Sequence, residues 1–143
     1  MIEYKFFEKG DSQDNSDILN QISKLRYDVY SKELGQYAIN GNESLEDPGS
    51  FFIAAIENEK LVGYISFNDN QNFRMVDFTP EEIFENEILS NLTGDISSTF
   101  EVRALTVNNK YRGRKISNGL MLNALKKIFS FGGTDIIAMG HVN

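Results

Sequence analysis

Apolar positions along the chain recur with two periods, and the switches between them mark out the elements. Residues 2–7 alternate as a strand does, and the polar run 10–16 behind them is a loop in which Asp14 or Ser16 is placed to cap a helix. Ile18, Ile22, Leu25 and Val29 then share one helical face, and this helix is expected to end near Gly35. Residues 36–50 are polar and turn-rich, with Asn40-Gly41 and Asp47-Pro48-Gly49, and read as a mobile connection within one domain. Two β-forming runs, 51–56 and 61–67, flank a hairpin turn at 57–60, so antiparallel pairing follows. Thr79-Pro80-Glu81-Glu82 sets a capping threonine, a first-turn proline and a capping-box glutamate in order, predicting a helix to about Leu92. Residues 99–107 form the next strand. Ile116, Leu120, Met121, Ala124, Leu125, Ile128 and Phe129 keep helical spacing until Gly132-Gly133, and 135–139 is the last strand. The predicted order is β-α-β-β-α-β-α-β, a single α/β domain over residues 1–143.

Charge is spread unevenly over this pattern. Residues 1–101 hold 7 Lys/Arg against 20 Asp/Glu, whereas residues 102–143 hold 7 against 1, so a front part at −13 and a back part at +6 make up the net −7. After Glu101 no acid occurs until Asp135, and within that span the strand runs through Asn108-Asn109-Lys110-Tyr111-Arg112-Gly113-Arg114-Lys115 directly into a helix. A basic loop with a glycine, opening into helix N–H groups that lack partners, is a phosphate site in outline. Arg112, Gly113 and Arg114 are its candidate residues; the alternative is a solvated basic turn. The net negative charge, and the lack of aromatic platforms among the basic residues, argue against nucleic acid. A compact multi-phosphate ligand or a small acidic carrier protein suits a local basic patch better.

Other chemistries have little to build on. The absence of Cys removes disulfides, zinc-thiolate sites and a cysteine nucleophile, and with His141 as the sole histidine no metal centre or Ser-His-Asp triad is expected. No basic-plus-apolar leader and no run of about 18 apolar residues is seen, so no membrane association is expected and a cytoplasmic location is the default.

The strand order, with Val107 followed by Asn-Asn-Lys-Tyr-Arg-Gly and a helix, resembles the general N-acetyltransferase (GNAT) superfamily over nearly the whole chain. That superfamily's loop pattern of Arg/Gln, two residues, Gly, one residue and Gly/Ala matches Arg112-Gly113-Arg114-Lys115-Ile116-Ser117, with Lys115 and Ser117 where small residues are usual. Upstream, Leu25-Arg26-Tyr27-Asp28-Val29-Tyr30, Glu33-Leu34-Gly35, Asp47 and Glu101-Val102-Arg103 look like the branch of acyl-homoserine lactone synthases and long-chain N-acyl amino acid synthases. Those enzymes usually take acyl groups from acyl carrier protein. The branch often has an Arg after the Val-Gly of its third strand, and Val62-Gly63-Tyr64-Ile65-Ser66 has none.

The resemblance implies a mixed, mainly antiparallel central sheet flanked by helices, and an N-acyltransferase that moves an acyl group from a thioester to a small-molecule amine by direct attack. The donor it implies is acetyl-CoA or another acyl-CoA, with the phosphopantetheine of an acyl carrier protein as the alternative. Leu105, Thr106 and Val107 would offer main-chain groups to the pantetheine arm. Arg112, Gly113, Arg114, Lys115, Ile116 and Ser117 would hold the pyrophosphate, with Lys115 alternatively reaching out to a carrier's phosphoserine. Glu101 is the candidate general base, its carboxylate open to a raised pKa through desolvation beside an apolar strand. The alternative for Glu101 is an exposed pair with Arg103, two residues along the same strand face. Arg26 and Arg103, with Asp47 or Glu43, would line the acceptor pocket; the alternative for Arg26 is a helix-surface ion pair. His141 could act in acid-base chemistry but reads better as a frayed surface residue. Phe51, Phe52, Tyr64, Phe67, Phe73 and Phe78 would line an acyl channel or, given their periodicity, the core. The superfamily normally continues past this last strand with a helix and two more strands, so the chain is expected to be the front module of a longer protein or to be completed by a dimer partner. A non-catalytic acyl-thioester-binding module is the alternative to an enzyme.

Overall fold

A computed structural model describes residues 1–10, 15–77 and 79–138. Its strands are β1 (Glu3–Glu8), β2 (Phe51–Glu57), β3 (Lys60–Asn68), β4 (Thr99–Val107) and β5 (Asp135–Ala138), in one sheet of order β1-β2-β3-β4-β5. The first three junctions are antiparallel and β4–β5 is parallel. A helix, α3 (Ile116–Ser130), makes the crossover that a parallel pair requires. The architecture is the mixed, mainly antiparallel sheet expected, with helices on both faces.

Both faces of β2 and β3 are covered, which is why these strands read as nearly unbroken apolar runs rather than alternating ones. On one face α1 (Ser16–Arg26) sets Ile22 and Leu25 against Phe7, Phe52, Ala54 and Tyr64. On the other, Ile116, Leu120, Ala124 and Ile128 of α3 pack on Ile53, Ala55, Ile65, Phe67, Phe100 and Val102. Phe51, Phe52, Tyr64 and Phe67 therefore belong to packing between sheet and helices, and Phe73 to a smaller cluster with Met75, Phe84 and Ile137. The 57–60 turn is a two-residue hairpin in which Asn58 and Glu59 both have positive φ, 52° and 67°, as the twist of paired strands favours.

Two predicted caps are corrected. Asn15, not Asp14 or Ser16, occupies the N-cap of α1 and makes no side-chain cap bond; Asp14 lies outside the described residues and Ser16 is already helical. The second helix, α2, has only Glu81–Ile83 in α form, with Pro80 rather than Thr79 at its N-cap, and continues as a π-helical Phe84–Ile88 and a 3-10 turn Leu89–Asn91. Here Phe84, with Ile88, Leu89 and Leu92 around it, seats against Phe73, Met75 and Ile137. Phe78, Met139 and His141, read above as aromatic, last strand residue and terminal histidine, fall outside the described residues.

Two irregularities position the site. Beyond Arg26 the first helix runs on as a π-helical stretch, Tyr27–Glu33, closed by Leu34 N–H donating to Val29 O at 2.9 Å, and Gly35 at φ +65° ends it. On β4, Phe67 of β3 pairs with Val102 but Ser66 pairs with Ala104, so Arg103 is the extra residue of a β-bulge. Upstream of it Val102 faces α3, and downstream Ala104 faces α1.

Candidate functional site

Pairing of β4 with β5 covers residues 99–102 of β4, and among the described residues the rest of β4 has no partner on that side. Beside this open edge lies a groove of about 330 Å³. One wall is the π-helical stretch and its end, through Val29, Tyr30 and Leu34; the floor is Leu105, Thr106 and Val107; the far wall is Tyr111, Arg112, Gly113, Ile116 and Ser117. Thr106 is buried, and its Oγ1 lies 2.9 Å from Tyr30 Oη, tying helix to strand at the floor.

The basic loop is shaped for an anion. Gly113 at φ +86° and Lys115 at φ +63° turn the chain so that α3 starts at the groove, with Lys115 as a left-handed N-cap that makes no side-chain bond. Among the described residues no acceptor meets the N–H groups of Gly113, Lys115, Ile116, Ser117 or Asn118. Arg112 spans the mouth: its Nε donates to Val107 O at 3.2 Å and its Nη1 and Nη2 both donate to the Glu33 carboxylate, the latter at 3.2 Å. Glu33 raises the Arg112 pKa above the ordinary arginine value through these bonds. Of the six loop residues expected at the donor, Arg112, Gly113, Ile116 and Ser117 line the groove. Arg114 turns away to Glu57 at 3.1 Å, with its guanidinium 4.8 Å from the Tyr111 ring centre, and Lys115 is exposed outside the lining.

At the other end of β4 the three residues expected at the acceptor come together in one buried cluster. Asp47, 2% exposed, accepts from Tyr64 Oη at 2.7 Å, Ser66 Oγ at 2.8 Å, Arg103 Nη1 at 2.8 Å and Gly49 N–H at 2.7 Å. Arg26, 6% exposed, lies 3.6 Å from the same carboxylate, donates to Tyr64 Oη at 2.9 Å and to Leu45 O at 3.2 Å, and sits over the Tyr30 ring at 5.2 Å. Burial works against the Arg26 charge, but the pull of Tyr64 and Asp47 outweighs it and leaves its pKa raised. The surface-pair alternative for Arg26 is thus overturned, and the later part of the 36–50 connection is fastened to the sheet and α1 through Leu45 and Asp47, with Leu45 N–H donating to Ser23 O at 3.0 Å, while residues 36–43 are exposed. Glu43 is elsewhere, at the surface with Lys32 at 3.2 Å.

Glu101, 3% exposed, does not pair with Arg103, which overturns the exposed-pair alternative. Its carboxylate accepts from Asn68 Nδ2 at 3.1 Å and from the backbone N–H groups of Arg74 and Met75 at 2.9 and 2.5 Å. Glu101 is not part of the groove lining; it lies four positions up β4 from Leu105, about 13 Å along a strand.

A model of the acetyltransferase (GNAT) family matches residues 16–143. The chain belongs to that family. No curated protein matches it in sequence. Solved structures share the fold. The coenzyme A-dependent acyl-homoserine lactone synthase BjaI, solved with SAM and isopentyl-CoA, is 16% identical, with 96% of this chain and 66% of that chain covered at a TM-score of 0.71. An aminoglycoside N-acetyltransferase in complex with CoA is 12% identical over 99% of this chain and 78% of that one, at 0.60. An aminoglycoside acetyltransferase from an uncultured soil metagenomic sample is 16% identical over 100% and 82%, at 0.57.

The protein is an acyltransferase of the GNAT type, and no helix among its described residues is long and apolar enough to cross a membrane. Several residues of the groove and the buried cluster were not singled out for those places from the sequence. Tyr30, Leu34 and Tyr111 line the groove because of a π-helical turn and a 3-10 turn, for which no pattern was visible. Tyr64, Ser66 and Asn68 did leave a signal: they are polar residues at alternate positions of a strand whose neighbours are all apolar, and each is fully buried with a carboxylate partner.

Proposed function

We propose that this GNAT enzyme transfers an acyl group from an acyl-CoA thioester to a small amine by direct attack. The observation that carries the reading is the continuity of the groove, from the edge of β4 that has no partner among the described residues to the open N–H groups at the start of α3. The pyrophosphate would meet those N–H groups and Arg112, with Gly113 allowing close approach. The pantetheine arm would lie along Leu105, Thr106 and Val107 as an added strand. An arm laid that way carries its thioester toward Arg103, Asp47 and Glu101, the end of β4 where the acceptor amine would be held.

Glu101 would take a proton from the ammonium form of the acceptor, directly or through one water. The free amine then attacks the thioester carbonyl, which forms the C–N bond and a tetrahedral species whose oxyanion main-chain N–H groups of β4 would stabilise; collapse restores the C=O bond as the C–S bond breaks, and the leaving thiolate takes up the proton shed by the attacking nitrogen. The names of the relatives support a CoA donor, since two of them were solved with CoA or isopentyl-CoA. The same groove chemistry suits the phosphopantetheine of an acyl carrier protein, with Lys115 exposed at its rim.

Titration of CoA and of a phosphopantetheinylated carrier protein, in parallel, tests this. Amide shifts confined to 105–107 and 111–118 are expected with CoA. Shifts with the carrier alone would move the donor assignment, and none with either would overturn the groove as a donor site.

A further inference from the structure

We propose that Glu33 is a built-in competitor for the donor's phosphate at Arg112, so that the groove favours thioesters whose phosphate can displace a carboxylate. The inference rests on the donor reading of the groove. Arg112 is the guanidinium in the groove lining, and both of its terminal nitrogens are taken by Glu33 in the two-pronged geometry that a phosphate would otherwise use. The third nitrogen, Nε, is held by Val107 O, so the side chain is fixed at the mouth with its fork pointing across the groove.

The carboxylate is in an unusual place. Glu33 is the last residue of the π-helical stretch, where the helix dipole disfavours a negative charge, and Arg112 is its ion-pair partner among the described residues. From there it reaches over the wall made by Val29, Tyr30 and Leu34 toward the anion site of α3. A phosphate settling on the open N–H groups of Ile116 and Ser117 comes to Arg112 with Glu33 already on it, and the two anions cannot share the fork without repulsion. Lys110 and Lys115 make no ion pair among the described residues, so Glu33 is the anion that stands between an arriving phosphate and the fixed cation of the groove.

Glu33 and Arg112 are both substantially solvent-exposed, with side chains 33% and 45% accessible, so solvent screens the pair and its displacement is a modest effect. Binding of CoA and of pantetheine, which has the arm without a phosphate, is measured by chemical-shift titration on the wild type, Glu33→Gln and Asp28→Asn. Asp28 is an exposed acid on the same π-helical stretch that pairs with Lys32, and it controls for a general change in charge. Glu33→Gln is expected to bind CoA about two- to fivefold more tightly, with pantetheine unchanged and both ligands unchanged in Asp28→Asn. Unaltered or weaker CoA binding in Glu33→Gln would overturn the proposal, as would an equal gain with pantetheine or in Asp28→Asn. Failure of wild type and variant alike to bind CoA overturns the donor reading together with it, whereas wild-type binding with no gain in the variant overturns this inference alone.

Discussion

Tyr64 Oη donates to Asp47 Oδ2 at 2.7 Å while accepting from Arg26 Nη1 at 2.9 Å, so one phenol joins the acid and the base of a buried ion pair. Burial, then the Asp47 charge, pushes the Tyr64 pKa well above its ordinary 10.0. With the folded value raised, the phenol's contribution to stability is full below pH ~10 and is lost as pH climbs from there toward the folded value. Tyr64 is therefore expected to stay un-ionised in an alkaline absorbance titration until the protein unfolds. Tyr64→Phe should cost about 1–3 kcal/mol by urea denaturation. Because Tyr64 is not in the groove lining, CoA affinity should not change.

Asp47→Asn should be costlier. It leaves the Arg26 and Arg103 guanidinium groups, both within reach of one carboxylate, without a buried counter-charge, a loss of about 3–5 kcal/mol. Urea midpoints of the two variants compared side by side give the order. A smaller loss for Asp47→Asn than for Tyr64→Phe would mean that solvent reaches the cluster.

Glu101→Gln separates catalysis from anchoring. A glutamine at 101 would turn its amide N–H₂ toward Asn68, Arg74 or Met75, all of which donate, so some stability is lost, about 1–3 kcal/mol. Turnover in protein that remains folded should fall by about 100-fold or more if Glu101 takes the proton, with CoA affinity held. Turnover within threefold of wild type would leave Glu101 the task of fastening residues 74 and 75 to β4.

Asp135 gives a pH signature away from the groove. Its carboxylate accepts from Gly94 N–H at 2.7 Å, Thr93 N–H at 2.8 Å and Thr134 Oγ1 at 2.8 Å, and these bonds, Gly94 first, lower its pKa from 3.8. A lowered folded value means that the tether is present above the unfolded pKa and is lost as pH falls through the folded one. Amide exchange at Thr93 and Gly94, taken relative to the intrinsic rate at each pH, should be slow at pH 6 and quicken only as pH falls from ~4 through the lowered folded value. In Asp135→Asn it should be fast throughout.

What the sequence revealed followed from periodicity and charge, and what it hid followed from irregular backbone. The strand 99–107, the α3 face and the 57–60 hairpin were legible because each repeats a simple spacing or turn rule over several residues. Arg112, Gly113, Ile116 and Ser117 were legible because a charge run, a glycine and a helix start coincide there. The meeting of Arg26 with Asp47 was suggested only through resemblance, since 21 positions separate them and nothing local pairs them. Glu33 on Arg112 was not visible at all: that contact depends on a π-helical stretch whose composition reads as ordinary helix. The capping signal at Thr79 located a helical run that does reach Asn91, but it missed the start by one residue, since Pro80 keeps an extended ψ of 138°, and it carries no information on the π-helical and 3-10 pitch that follows.

The bulge at Arg103 acts as a phase shift along β4. With no bulge, strict alternation from Glu101 would carry 103, 105 and 107 to the α1 side and turn Thr106 away from Tyr30. Because of it, Arg103 and Ala104 stand together on that side, Thr106 follows them, and Leu105 and Val107 turn the other way. The end of β4 at the buried ion pairs and the end at the groove are thus read in two different frames, joined at one residue. Loss of the bulge residue would straighten the strand and keep Ala104 and Thr106 toward α1 while taking Arg103 away from Asp47, whereas closing the bulge with Arg103 retained would exchange the two linings of the groove floor.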